Sequence, residues 1–437
     1  MYPGILYLDG EQSTCPDRVQ SRQAIAGDEK KPFCFRCGNN TPYLFAKTFS
    51  GILYCRNCLM MKRVEKSACL HYLEAREDDR IFFTRPLKWA GKLSVAQRKG
   101  SDAVVSAVER LEPLLLWAVA GSGKTEMTFR GLEVAFEHGM RVCFASPRVD
   151  VCIELLPRFQ EVFPDVPLVC LYGDSEDRFQ GEQFVVATTH QLIRFYHYFD
   201  VIFIDEVDAF PYAKDPFLEY AVRKAKTENG TEIYITATPE KAWQDECMKG
   251  IRQHVKIPAR YHGHKLPVPE AVWIGDWAKR LKKKQICKKV LNWIQKHRQN
   301  DKPILLFFPK IEVMYEVKEA LEQAGYLKIE TVHSADKERK EKVERFRARE
   351  TSILLSTTIL ERGVTFTDVQ VAVFGSEGVV FTEAALVQIA GRAGRKATHP
   401  TGEVTFFHYG QTREMKRATR HIKMMNALGL KEGLLSE

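Results

Sequence analysis

Short, unbroken runs of apolar residues recur along most of this chain, separated by segments with helical periodicity. The runs do not alternate with polar residues, which is typical of strands buried on both faces of a parallel sheet. They therefore predict an α/β protein with two sheets, one for each series of runs. The first series is LLLWAV (114–119), RVCFAS (141–146), LVCLYG (168–173), FVVATT (184–189), VIFIDE (201–206) and EIYITAT (232–238). The second series is PILLFFP (303–309), IETVH (329–333), SILLSTT (352–358), VQVAVFG (369–375) and EVTFFHY (403–409).

The two series divide the chain into regions. With 437 residues, two or three domains are expected. We predict an N-terminal region over 1–85, a first α/β domain over 86–255, a basic linker over 256–277 and a second α/β domain over 278–437. Within the N-terminal region, a small cysteine module is expected at about 30–62, followed by a helix around 59–76. The predicted fold class is thus two tandem parallel-sheet domains preceded by a small module.

Charge and hydropathy exclude some classes of protein. The net charge of +9 is compatible with binding nucleic acid but does not require it. No apolar run is long enough for a membrane-spanning helix. The first residues, MYPGILYLDG, lack the basic segment and long apolar stretch of a secretory signal. We therefore expect a cytosolic protein whose cysteines are mostly reduced.

Four cysteines follow the pattern C-x2-C-x17-C-x2-C. Each C-x2-C turn lets two sulfurs converge on one metal ion, so the pattern predicts a four-thiolate zinc site. The alternative is four incidental thiols, and Cys15, Cys69 and His71 are substitute ligands with poorer spacing. The predicted zinc ligands are Cys34, Cys37, Cys55 and Cys58.

A phosphate-binding loop follows the first apolar run. The segment AVAGSGKT matches G-x4-G-K-[ST] from Ala118 to Thr125, with alanine in place of the first glycine. In such a loop the backbone N–H groups cradle phosphates and the lysine reaches the β- and γ-phosphates. The threonine hydroxyl would bind Mg²⁺. The predicted nucleotide-binding residues here are Ala120, Gly121, Ser122, Gly123, Lys124 and Thr125.

Two carboxylates end the run VIFIDE. Asp205 and Glu206 lie at the carboxyl end of a predicted parallel strand, where ligands bind in open α/β sheets. The alternative is an acidic strand end that caps a helix. Beside a phosphate-binding loop, Asp205 is predicted to hold Mg²⁺ and Glu206 to activate the attacking water.

The segment QIAGRAGR places two arginines three residues apart among glycines. It could be a solvated helix end, but Arg392 and Arg395 have no neighbouring carboxylate, and the glycines allow another surface to approach. With a phosphate-binding loop elsewhere in the chain, the missing anion is predicted to be a γ-phosphate. The arginines would then stabilise transition-state charge when the domains close, and Gln388 would help to place the water or phosphate.

Together these motifs resemble those of superfamily-2 helicases over roughly residues 88–400. GSGKT, DEVD, TATP, STTILERGVTF and QIAGRAGR occur in that family's order. The resemblance implies RecA-like domains, ATP as substrate and Gln97 as an adenine contact. Asp208 in DEVD departs from the better-known DEAD and DEAH forms, which leaves its role in coupling open.

Further contacts are implied only by this resemblance. The residues that would contact DNA phosphates are Pro147, Arg148, Thr189, His190, Thr357 and Arg362. Gly363 would also hold a phosphate and is counted with the nucleotide-binding residues. The threonines could instead cap helices. The basic segment 279–298 and the tail 411–428 are either DNA-binding or solvated helix faces.

The layout of a single four-cysteine module before the motor resembles the ComFA family of competence ATPases. The PriA family is longer and carries its cysteines within the second motor domain. The resemblance to ComFA implies ATP, Mg²⁺ and Zn²⁺ as ligands, and single-stranded DNA, ComFC and the ComEC channel as partners. It also implies a cytoplasmic protein at the inner face of the membrane; a homo-oligomer is left open. A PriA-like helicase, an RNA helicase and a zinc-dependent adaptor with a degenerate ATPase remain as alternatives.

Overall fold

The computed structural model describes residues 1–11 and 18–435 of the chain. These residues form two compact units. The first unit comprises 1–92, 98–117 and 125–255, and the second comprises 93–97, 118–124 and 256–437. The phosphate-binding loop 118–124 therefore belongs to the second unit, together with the segment QIAGRAGR.

The N-terminal part of the first unit is built from short antiparallel strands. They form a β1-β8-β2 sheet, a β3-β4 pair and a β5-β6-β7 sheet. The helix expected around 59–76 is wrong, because β7 and β8 occupy that stretch and pair with distant strands. The strands are β1 Tyr7–Leu8, β2 Gln20–Gln23, β3 Ile25–Ala26, β4 Phe33–Cys34, β5 Phe45–Lys47, β6 Leu53–Cys55, β7 Val64–Glu65 and β8 Cys69–Tyr72. Single 3-10 turns span Pro42–Leu44, Arg56–Met61 and Glu77–Asp79.

A seven-stranded sheet follows in the order β11-β12-β10-β13-β14-β9-β15, and β9 to β14 pair in parallel. Each apolar run of the first series forms one of its strands, as predicted. The strands are β9 Leu114–Ala118, β10 Val142–Ser146, β11 Leu168–Leu171, β12 Phe184–Thr188, β13 Phe199–Asp205, β14 Lys226–Thr236 and β15 His254–Ile257. The helices are α1 Val95–Arg110, α2 Lys124–Glu137, α3 Val149–Val162, α4 Pro216–Ala225 and α5 Lys241–Met248.

The second unit contains a six-stranded parallel sheet in the order β16-β21-β20-β17-β19-β18. Its first strand lies in the stretch for which the sequence predicted only a linker. The strands are β16 Glu270–Trp273, β17 Ile304–Phe307, β18 Ile329–Val332, β19 Ile353–Ser356, β20 Gln370–Phe374 and β21 Val404–His408. The helices are α6 Trp277–Leu281, α7 Lys288–Gln299, α8 Ile311–Gln323, α9 Arg339–Arg347, α10 Glu383–Ala390 and α11 Arg413–Lys431.

The basic segment 279–298 is divided between α6 and α7. Leu281, Val290 and Ile294 are buried, and Ile286 is half-buried against the same core. Two of its lysines form ion pairs on the surface, Lys284 with Glu319 and Lys296 with Glu403. These ion pairs favour the interpretation of the segment 279–298 as a solvated helix face over its interpretation as a DNA-binding face.

Strand order places the predicted catalytic segments along one edge of the seven-stranded sheet. β13, β14 and β9 are neighbours, and parallel strands end at the same edge. β9 leads into the phosphate-binding loop, β13 ends at Asp205 and β14 ends at Thr236. This edge is the place where an α/β sheet can hold a nucleotide.

Candidate nucleotide site and metal centre

The phosphate-binding loop has the backbone that its sequence predicts. Gly121 and Gly123 adopt φ of 80° and 77°, a left-handed conformation that glycine reaches without steric cost. Ser122 is fully buried, and its hydroxyl has no hydrogen-bond partner within the described residues. Helix α2 then begins at Lys124, so its N-terminal N–H groups and positive dipole end follow the loop. The loop is thus shaped to receive an anion.

Within the second unit, this loop packs closely against QIAGRAGR. A Cβ added at Gly121 would lie 3.5 Å from Cγ of Arg395. A Cβ added at Gly391 would lie only 2.5 Å from Cβ of Ala120. Glycine at 391 is therefore required by the approach of the loop, which answers why this arginine pair is set among glycines.

Both arginines of that segment bind backbone carbonyls of the ERGV stretch. Nε of Arg392 donates to the carbonyl of Glu361 at 2.9 Å, and its guanidinium also donates to the carbonyl of Val364. Arg395 donates to the same Val364 carbonyl at 3.2 Å. Gln388 lies on α10 and is buried. The arginines are thus held on a backbone segment and beside the phosphate-binding loop.

Arg260 is a functional candidate that the sequence analysis missed. Only 1% of it is exposed, and its guanidinium donates to the carbonyls of Gly391 at 3.2 Å and Ala393 at 2.8 Å, and also to that of Gly394. Burial, with the charge of Arg395 nearby, lowers the pKa of Arg260 to about 9. No motif marks it, since it follows the short stretch IPA in the predicted linker. It holds the backbone that carries the arginine pair.

The acidic segment contains a residue with a left-handed backbone and a side chain bonded to the TATP segment. Glu206 has φ of 56°, which is uncommon outside glycine and recurs at functional sites. Asp208 accepts hydrogen bonds from the hydroxyls of Thr236 and Thr238, both at 2.6 Å. DEVD is therefore tied to TATP in the first unit. Asp208 therefore has a structural contact, while its role in coupling stays open.

Gln97 has a local partner. The side-chain oxygen of Gln97 accepts from the backbone N–H of Ser94 at 2.9 Å, and the backbone N–H of Gln97 donates to the Ser94 hydroxyl at 3.3 Å. This reciprocal pair is a capping box at the start of α1. The role of Gln97 in binding adenine stays a prediction.

The predicted DNA-contact residues fall into one group in each unit. Those of the first unit follow β10 and β12, which are adjacent in the sheet. Thr189 is fully buried, and its hydroxyl has no hydrogen-bond partner in the part of the chain that the structure describes. Thr357 is the N-cap residue of the 3-10 turn Thr358–Glu361, but its side chain makes no capping hydrogen bond. The first group is Pro147, Arg148, Thr189 and His190, and the second is Thr357, Arg362 and Gly363, which follow β19.

The four predicted zinc ligands converge. Their sulfur atoms lie within 4.8 Å of one another and all four side chains are buried. The Cys37–Cys55 and Cys34–Cys58 sulfurs are 3.6 and 3.9 Å apart. A tetrahedral zinc with Zn–S bonds of about 2.3 Å separates its sulfurs by about 3.8 Å, so the cluster fits the ion.

The surroundings of the cluster agree with this ligand set. The Asn39 amide donates to the Cys55 sulfur at 3.4 Å, a contact that stabilises a thiolate. Hydrogen bonding from the Cys34 thiol, with smaller contributions from the other two thiols and Asn39, lowers the pKa of Cys55. His71 instead bonds to Asp9 and Ser21. Cys69 does not join the cluster, and Cys15 lies outside the described residues.

The cysteine module is docked on helix α4 of the same unit. The buried Lys224 ammonium donates to the carbonyls of Arg36 and Ile193, both at 2.6 Å. Burial, with the charge of Arg36 nearby, lowers the pKa of Lys224 to about 7. The Tyr220 hydroxyl donates to the carbonyl of Phe35 at 3.1 Å. The first C-x2-C turn is therefore fixed to the α/β core.

Comparison with known proteins identifies the parts of the chain. Residues 11–72 match the family described as Competence protein ComFA N-terminal domain. Residues 90–241 match the family of type III restriction enzyme res subunits, and residues 282–397 match the helicase conserved C-terminal domain. Within the described residues, no helix combines the length and apolar character needed to cross a bilayer.

Relatives are similar over nearly the whole chain. Competence protein ComFA of Bacillus subtilis (strain 168) is 42% identical over 94% of this chain and 89% of its own length. Competence protein ComFA of Streptococcus pneumoniae (strain ATCC BAA-255 / R6) is 39% identical over 97% of this chain and 98% of its own length. Among solved structures, Mycobacterium smegmatis helicase Lhr bound to ssDNA and AMP-PNP matches with a TM-score of 0.54 at 15% identity, covering 77% of this chain and 50% of that chain. The last match shows the fold alone. The chain belongs to the competence protein ComFA family and is an ATPase with the two-domain fold of superfamily-2 helicases.

Proposed function

We propose that this protein couples ATP hydrolysis to movement along single-stranded DNA during uptake of transforming DNA. One observation carries the coupling: within the second unit, the phosphate-binding loop packs against the arginine segment, with a Gly121 Cβ position 3.5 Å from Arg395. Hydrolysis at the loop therefore changes the surroundings of a segment that also holds the predicted DNA-binding stretch at 357–363. Membership in the ComFA family supports the role in competence.

In the proposed chemistry, each residue has a distinct task. Lys124 binds the β- and γ-phosphates, and the loop N–H groups hold them in place. Glu206 orients and activates the attacking water. Arg392 and Arg395 stabilise charge that develops on the γ-phosphate, and Gln388 places the water.

A magnesium ion would be held by residues on the same sheet edge. Asp205 is 9% exposed at the end of β13, and Thr125 lies in the first turn of α2, so oxygen ligands of the type Mg²⁺ prefers are available there. When bound, Mg²⁺ would neutralise charge on the nucleotide phosphates. Asp208 would then relay changes at this acidic segment to Thr236 and Thr238.

The DNA contacts proposed for the first unit follow two adjacent strands. The buried Thr189 hydroxyl, the backbone around Pro147 and the Arg148 guanidinium suit binding of phosphates without regard to base sequence. Thr357, Arg362 and Gly363 supply the corresponding contacts in the second unit. His190, which is exposed, would line the path of the strand.

The proposed cellular setting follows from the family. By that resemblance, the protein would act in the cytoplasm at the inner face of the membrane, with ComFC and the ComEC channel as partners. Zinc in the four-cysteine cluster would supply much of the folding energy of the small module. Because Lys224 and Tyr220 dock the module, the metal would also fix the surface that the module presents.

An ATPase assay with three nucleic acids tests this proposal. Single-stranded DNA should stimulate hydrolysis more than duplex DNA or RNA of the same length, without dependence on base sequence. Binding should weaken as salt rises, because phosphate contacts release counterions. Greater stimulation by RNA would favour the RNA helicase alternative, and no stimulation by any nucleic acid would favour the adaptor.

A further inference from the structure

A groove separates the cysteine module from the sheet edge of the first unit. It encloses about 830 Å³, within the size of ligand sites, about 300–1,000 Å³. Its lining includes residues of the N-terminal segment and the module, among them Arg36 and Met60. It also includes Pro147, Thr188 and Arg194 of the α/β core.

Two arginines face this groove without a carboxylate partner. Arg36 is 6% exposed, and its guanidinium donates to the backbone carbonyl of Lys62. Arg194 is half-buried and donates to the Gln191 side chain. Within residues 1–11 and 18–435, neither guanidinium forms an ion pair. Burial, reinforced by the charges of Arg36 and Arg178, lowers the pKa of Arg194. Two cations that line one partly desolvated groove favour binding of an anion there.

The acidic group in the groove does not supply that anion. Glu11 lies in the lining, but its carboxylate pairs with Lys62 at 3.0 Å and accepts the N–H of Leu8 at 2.7 Å. Its charge is therefore already compensated. Among the described residues that line the groove, two arginines outnumber this one carboxylate.

The positions of the two arginines are set by one buried contact. Lys224 donates to the carbonyl of Arg36 itself and to that of Ile193, the residue before Arg194. One ammonium thus ties together the two backbone segments from which the arginines project. The two backbone segments are therefore held together by this contact.

We propose that this groove is an additional subsite for single-stranded DNA, in which Arg36 and Arg194 bind a backbone phosphate next to the strand path of the motor. The inference rests on the proposed function, and it adds a contact that the helicase core alone does not contain. Two features favour a nucleic acid. The lining of the groove includes Pro147 and His190, which are among the residues where the core is proposed to meet DNA phosphates. Exposed apolar side chains, Met60 and Val149, border it and can contact a base face.

The test compares Arg194→Gln with wild type in fluorescence anisotropy, using oligothymidylates of increasing length. Wild-type affinity should rise by about a further 5- to 10-fold once the strand is long enough to reach the module. The variant should not show this rise. The slope of log affinity against log salt should fall by about 0.7 for the lost phosphate contact. Arg194→Lys should keep most of the gain because it keeps the charge.

Control variants separate the loss of this contact from a general loss of positive charge and from misfolding. Arg110→Gln, an exposed residue at the end of α1, removes the same charge outside the groove and should behave as wild type. Arg36→Gln removes the second guanidinium of the groove and should reproduce the loss. Zinc content and the thermal midpoint of each variant verify folding.

The outcomes separate the two proposals. If wild type binds single-stranded DNA and is stimulated by it, but Arg194→Gln and Arg36→Gln match it at every length, the subsite is refuted and the groove is left to a protein partner. If wild type neither binds single-stranded DNA nor is stimulated by it, the proposed function itself fails.

Discussion

Replacing Gly391 by alanine should uncouple the phosphate-binding loop from the arginine segment without unfolding the protein. Gly391 has φ of −63° and ψ of −10°, which alanine adopts freely at a helix end. The backbone should therefore tolerate the change and gain up to about 1 kcal/mol in helix propensity. Most of the cost falls on the contact with Ala120, since the next nearest atom, the carbonyl oxygen of Gln388, would lie 3.2 Å away.

The magnitude follows from the distance. The new Cβ would lie 2.5 Å from the Cβ of Ala120, whereas ordinary contacts lie at 3.4–4 Å. The loop must therefore retreat by about 1 Å, and a displacement of that size at a reacting centre can cost about 10²-fold in rate. That loss corresponds to about 2.7 kcal/mol of transition-state stabilisation.

Steady-state ATPase at saturating single-stranded DNA measures this effect, with thermal unfolding as the check on folding. Gly391→Ala should lower kcat by about 10²-fold at an unchanged midpoint. The double variant Gly391→Ala with Ala120→Gly should recover most of the rate, since it removes the opposing Cβ. Gly410→Ala, where a Cβ would meet nothing within 4 Å, is the neutral control. Full activity of Gly391→Ala, or no recovery in the double variant, would refute the reasoning.

Four further substitutions test the nucleotide site and the metal centre. Lys124→Ala should weaken both ATP binding and hydrolysis, whereas Glu206→Gln should spare binding and slow turnover by about 10²–10⁴-fold, as measured by calorimetry and steady-state kinetics. Asp208→Ala removes the acceptor of two hydroxyls at 2.6 Å and should cost about 1–3 kcal/mol in the free energy of unfolding by urea. Cys55→Ser should lose the bound zinc and disorder the small module while basal ATPase persists in part, as shown by metal analysis and limited proteolysis.

Each of these predictions has an outcome that contradicts it. Equal losses of ATP affinity in Lys124→Ala and Glu206→Gln would mean that the two roles are misassigned. If Asp208→Ala has the same free energy of unfolding as wild type, the contacts with the two threonines contribute nothing to stability. Full zinc retention in Cys55→Ser would mean that the ligand set is wrong.

Much of the fold was predictable because its signals are local. A strand buried on both faces must be apolar throughout, so each predicted run coincides with a strand of one of the two parallel sheets. The phosphate-binding loop and the C-x2-C turns are likewise short segments whose chemistry depends on spacing along the chain. The sequence by itself therefore determined the fold class, the nucleotide loop and the four converging cysteines.

Tertiary structure decided the features that depend on residues distant in sequence. Strands β7 and β8 replaced an expected helix because pairing with remote strands outweighed local propensity. Arg260 acquires a role only where the carbonyls of 391–394 meet it, and Asp208 only where Thr236 and Thr238 reach it. Lys224 likewise joins segments that lie 188 and 31 residues away. A buried polar group needs its partners in space, and no pattern in the sequence states which folded neighbours will provide them.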